Sequence, residues 1–118
     1  MTIICERIYG NQSNEGMRIL VDRVWPRGIS KSQANLDKWL KSVAPTTSLR
    51  KWFDHDPKLF EAFKHKYVKE LEENTDQHQA FNELKNIVNQ SKTDVILLYG
   101  AKDTTYNHVN ILKELLEK

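Results

Sequence analysis

The chain has 118 residues, 39% hydrophobic and 29% charged, with 4 glycines and 3 prolines, which is the size of one domain and excludes disordered, fibrous and low-complexity chains. Eighteen Lys and Arg against sixteen Asp and Glu leave a formal charge of +2, short of the concentrated positive field of a dedicated nucleic-acid binder. The single cysteine, Cys5, excludes an internal disulfide and a multi-cysteine metal site, and the opening MTIICERIYG lacks the apolar core of a signal peptide, so a cytoplasmic location is expected.

Residues 2–9 and 18–24 are rich in Ile and Val and are separated by the turn-like Gly10-Asn-Gln-Ser-Asn-Glu-Gly16. They read as two strands, and the connection permits an antiparallel pair. Trp25-Pro26-Arg27-Gly28 breaks the second strand, and Ser30 with Gln33 forms a capping-box pattern that starts a helix. Leu36, Trp39, Leu40 and Val43 then fall at i, i+3, i+4 and i+7, which predicts one apolar helix face ending near Ala44-Pro45.

A short helix is predicted after Thr47, carrying Leu49, Trp52 and Phe53. Asp56-Pro57 supplies an N-cap and a proline at the first position of a third helix, whose stripe is Leu59, Phe60, Phe63, Tyr67 and Leu71. A fourth starts around Thr75 or Asp76 and turns Phe81, Leu84, Ile87 and Val88 inward. The continuous apolar run Val95-Ile-Leu-Leu-Tyr99 has the pattern of a strand buried on both faces, and is far too short to cross a bilayer. It is expected to be the central strand. After Gly100-Ala-Lys-Asp103 a fifth helix follows, with Val109, Ile111, Leu112, Leu115 and Leu116 inward.

This order predicts an α/β fold over residues 1–118, with a small sheet of about three or more strands packed by about five helices. Residues 19–23 and 95–99 would be a parallel pair joined by a long helical crossover. The carboxyl ends of parallel strands open on one edge, where ligands of open α/β sheets bind. Two polar loops are expected to meet there.

The first loop brings Asp22, Arg23, Trp25, Arg27 and Gly28; the second brings Lys102, Asp103, Thr104, Thr105, Asn107 and His108. Arg7, Arg18, Arg23 and Arg27 are four of only five arginines, and guanidinium suits bidentate, partly buried anion contacts. A small anionic metabolite or a nucleotide is therefore the expected ligand class. Arg23, Trp25, Arg27, Gly28, Asn107 and His55 would bind it, while Asp22, His108, Lys102 and Asp103 are the groups placed for acid–base work.

Asp54-His55-Asp56 places a histidine between carboxylates, yet Asp56 already serves as an N-cap and the spacing supplies no further metal ligands, so no metal site is assigned. No cofactor is assigned either, since the phosphate-binding P-loop, the dinucleotide fingerprint, HExxH and Gly-x-Ser-x-Gly are all missing. Cys5 sits inside a predicted strand, with no following loop that ends in Arg, which argues against rhodanese or cysteine-phosphatase chemistry. The basic and aromatic residues between 49 and 67 allow a second reading, a nonenzymatic module for nucleic acid or protein. Helical spacing assigns those aromatics to the core.

Leu20-Val-Asp-Arg-Val-Trp-Pro-Arg-Gly28, Leu36-Asp-Lys-Trp-Leu40, Leu49-Arg-Lys-Trp-Phe53, His55-Asp-Pro57 and Leu98-Tyr-Gly-Ala-Lys-Asp103 with Asn107-His108 resemble the YeaO-like bacterial family, domain-of-unknown-function family 488. The resemblance runs in the same order along nearly the whole chain. It implies family positions at 22, 23 and 25–28 and at 102, 103, 107 and 108, and it implies no reaction. Longer relatives look as though they carry a Cys-His-Arg cluster near the last helix. Here that place reads Asn107-His108-Val109, which removes a thiol mechanism from this chain. Gly100 stands where the resemblance implies alanine.

Overall fold

In a computed structural model describing residues 2–10 and 15–118, four strands form one sheet. They are β1 (Ile3–Arg7), β2 (Met17–Leu20), β3 (Lys38–Trp39) and β4 (Val95–Tyr99), in the spatial order β1-β4-β2-β3. Every pairing is parallel. The first two strands are therefore not the antiparallel pair that their connection permits; each flanks β4, Ile3 opposite Val95 on one side and Met17 opposite Val95 on the other. Residues 11–14 of the predicted turn lie outside the described residues.

β4 is central because all five of its residues are buried, as its unbroken apolar run requires. Val95, Leu97 and Tyr99 join the larger core on one face, while Ile96 and Leu98 join a smaller one on the other. The larger core is covered by α2 (Thr47–Phe53), α3 (Phe60–Glu73), α4 (Thr75–Gln90) and α5 (His108–Leu116), the smaller by α1 (Lys31–Ala34) and the chain around it. No helix among the described residues is long and apolar enough to cross a membrane.

The helix predicted from Ser30 to Val43 is corrected. Its capping box forms as read, with Ser30 Oγ accepting from Gln33 N and Gln33 Oε1 accepting from Ser30 N, but the helix ends after one turn at Asn35, which is left-handed at φ 47°. Asp37 then exchanges backbone and side-chain bonds with Arg18, Asp37 N donating to Arg18 O and Asp37 Oδ2 accepting from Arg18 N, both at 2.8 Å. That docks the chain on β2 and starts the edge strand β3.

Candidate functional site

The loop after β2 leads to α1 under the smaller core, and the loop after β4 leads to α5 under the larger one. Adjacent strands thus send their chains to opposite faces, which leaves a crevice at their carboxyl ends. A cleft of about 540 Å³ opens there. Its walls come from three segments distant in sequence: residues 22–27, residues 44–55 and residues 100–108, with Tyr9 and Phe63 completing them.

Asp22 ties the two strand ends together. Its Oδ2 accepts from Gly100 N at 2.8 Å, its Oδ1 lies 3.4 Å from His108 Nε2, and its carbonyl accepts from Trp39 Nε1 at 2.7 Å. Small size at position 100 serves this approach, since a Cβ there would stand 3.3 Å from Asp22 Oδ2 and 3.4 Å from the Tyr9 ring. His108 occupies the first turn of α5 behind the N-cap Asn107, whose side-chain oxygen accepts from Asn110 N. Its Nε2 bonds the Val21 carbonyl at 2.9 Å. A carbonyl only accepts, so Nε2 carries the hydrogen and the lone pair of the neutral ring is on Nδ1. Burial holds the His108 pKa below its ordinary value, against the opposing pull of Asp22 and the Val21 carbonyl, and the positive charge of Arg50 lowers it further.

Arg23 is held by the turn ahead of α2. Its Nε donates to Pro45 O at 3.1 Å and its Nη2 to Ala44 O at 2.8 Å, and Ala44 O also accepts from the buried Gln77. A guanidinium has five donors, so these two bonds fix its plane and leave the rest of the fork without a protein partner among the described residues. Arg27 is exposed at the rim, and its carbonyl accepts from Tyr9 Oη at 3.0 Å. Trp25 donates from Nε1 to Ile29 O at 2.7 Å and meets Trp39 edge to face at 5.3 Å. Most of what Trp25 touches is therefore its own turn and the smaller core.

Asp22, Arg23, Trp25, Arg27, Asn107, His108 and His55 all line the cleft. Gly28, Lys102 and Asp103 do not. Lys102 is exposed, and Asp103 folds the connecting loop: its Oδ1 accepts from Thr105 N and Tyr106 N, both at 2.9 Å, and these bonds hold its carboxyl below the usual carboxylate range. Gly28 instead provides the turn before α1 with φ 81°, a value glycine adopts without strain.

Sequence reasoning missed Arg50 and Lys51 on α2, and Tyr106 on the last loop, all of which line the cleft. Arg50 and Lys51 are exposed on α2 between the buried Leu49 and Phe53; periodicity could show that they face outward, but not which groove they face. Asp54 and His55 follow with consecutive positive φ values of 46° and 55°, a conformation uncommon outside glycine. This reversal leaves His55 exposed beside the cleft. In all, four cations, Arg23, Arg27, Arg50 and Lys51, share the lining with two acids, Asp22 and Asp54.

A family model described as the inactive DUF488-N3 subclade matches residues 2–118. The chain is 38% identical to "Uncharacterized protein YeaO" of Escherichia coli over 117 residues, covering 98% of this chain and 97% of that one. It is 32% identical over 111 residues to "Uncharacterized protein Mb3100c" of Mycobacterium bovis and to "Uncharacterized protein Rv3073c" of Mycobacterium tuberculosis, covering 93% of this chain and 89% of each. No solved structure matches it.

Proposed function

The chain belongs to the inactive DUF488-N3 subclade, and from that premise we propose that it is a binding protein holding a small anionic metabolite or nucleotide in the cleft between β2 and β4. One observation carries the reading: four cations against two acids around a cleft at the carboxyl edge of a parallel sheet, with Arg23 already oriented by two carbonyls. A guanidinium fixed in place loses little freedom when it takes up a carboxylate or phosphate. Arg27, Arg50 and Lys51 then supply attraction from the rim.

Binding without turnover agrees with the family description and with how the polar groups are used. Asp22 is committed to Gly100 N and His108 to Val21 O, so both brace the floor of the cleft. The thiol of Cys5 is pushed up to about 11 by burial and donates to Val109 O, which leaves it protonated at neutral pH. The alternative module for nucleic acid or protein draws less support, because Phe53, Phe63 and Tyr67 of the aromatic stretch are buried in the larger core.

Titration with inorganic phosphate, followed by amide NMR, tests the reading. Resonances of Gly100, Ala101, Asn107 and His108 should move together and saturate. The double variant Arg27→Gln/Arg50→Gln alters two exposed side chains and should weaken binding about tenfold or more, the loss of about 1.4 kcal/mol. Shifts scattered over the lysine-bearing helices, with no saturation at the cleft, would sink it.

A further inference from the structure

The cleft is not a simple anion hole. Among the described residues three large apolar side chains are exposed, Val24 at 63%, Trp52 at 42% and Tyr106 at 40%. Val24 and Tyr106 both line the cleft, one from each strand-end loop, whereas Trp52 lies outside the lining, with the Lys66 ammonium over its ring at 5.0 Å. Scattered apolar side chains on a surface need no explanation, but two of the three meeting at one cationic opening do. An inorganic anion or a sugar phosphate would meet the arginines and leave Val24 and Tyr106 in water.

Resting on the anion reading, we infer that the ligand is an aromatic anion: a flat ring joined to a phosphate or carboxylate, with the anion toward Arg23 and Arg50 and the ring against Val24 and Tyr106. Tyr106 suits that task because its orientation is set on two sides. Its backbone N–H is held by Asp103 Oδ1, and its ring meets Phe60 edge to face at 5.3 Å, while two-fifths of the residue stays open. Aromatic side chains favour offset or edge contacts with another ring, and such a contact adds to plain area burial. Trp25 is the less suitable platform, since its N–H and one edge are already used by Ile29 and Trp39. The volume of the cleft, about 540 Å³, lies in the range that encloses a ligand of this size.

Calorimetric titration with four probes tests this: adenosine 5′-monophosphate and 1-naphthoate carry an aromatic ring, ribose 5-phosphate and acetate carry none. At least one aromatic probe should bind about tenfold or more tighter than its non-aromatic counterpart; gain for the nucleotide identifies a nucleotide source, gain for naphthoate an aromatic acid. Val24→Ser/Tyr106→Ala, two exposed positions, should erase that gain while ribose 5-phosphate binds as before, with far-ultraviolet circular dichroism verifying the fold. Equal affinity of aromatic and non-aromatic probes, or equal weakening of both by the double variant, overturns the inference and leaves the anion reading standing. If none of the four binds, both fall.

Discussion

His108 shows how one residue couples the two strand ends to solution pH. Burial lowers its pKa in the folded chain, whereas the unfolded chain protonates near the ordinary value of about 6.5. The unfolded state therefore takes up the proton first as pH falls. Stability linked to His108 is complete above about 6.5 and is lost as pH drops through that value toward the lower folded one. Urea midpoints measured between pH 7.5 and 5 should fall more steeply for the native chain than for His108→Gln, which keeps a donor for Val21 O. Asp22 opposes the burial effect, so Asp22→Asn should move the His108 titration lower still, read from its ring C–H resonances. A His108 that titrates above 6.5 in the folded chain would show that the carboxylate, not burial, dominates.

At the scale of elements, the chain around Asn35 separates what the sequence made legible from what it did not. The five-residue apolar run of β4, the capping signals at Ser30 and Asp56, and the stripe of α3 all act within a few residues of themselves, and each appears where read. Leu36, Trp39, Leu40 and Val43 imitate a helical stripe, yet Leu36 and Trp39 pack under the smaller core and Leu40 and Val43 in the larger one. Two sheet faces, not one helix face, explain their spacing. What decides between these patterns is the docking of Asp37 onto Arg18, a contact between segments that no local period contains. The same holds for the cleft: the two strand-end loops were legible from strand order, but Arg50 and Lys51 of α2 arrive there through tertiary packing. Asn35 is the local switch that lets β3 form, since its left-handed backbone ends α1. Asn35→Gly should leave stability unchanged or raise it by up to about 1 kcal/mol, while Asn35→Val should cost roughly 1–2 kcal/mol. Paired denaturant midpoints check the sign, and a valine that costs nothing would mean the turn has another conformation open to it.

For the molecule as a whole, the position of the cleft matters more than its size. Its lining draws on residues 22–27, 44–55 and 100–108, segments that come together only once the parallel sheet and the packing of α2 and α5 are complete. A ligand held there binds the native chain and finds no equivalent in the unfolded one, so it stabilises by mass action. With inorganic phosphate at 100 times its dissociation constant, that is about 2.7 kcal/mol. For a chain of this length each kcal/mol shifts the melting midpoint by roughly 2–8 °C, so the expected rise is several degrees or more. Phosphate also stabilises proteins nonspecifically by exclusion from their surfaces, and that part is common to all variants. At the same phosphate concentration Arg27→Gln/Arg50→Gln should keep the nonspecific rise and no more than about half of the specific one, about 1.4 kcal/mol for a tenfold loss of affinity, and the difference between the two melting shifts isolates the cleft. Identical shifts in both proteins would mean that the cationic lining does not hold phosphate, however well the loops that carry it are assembled.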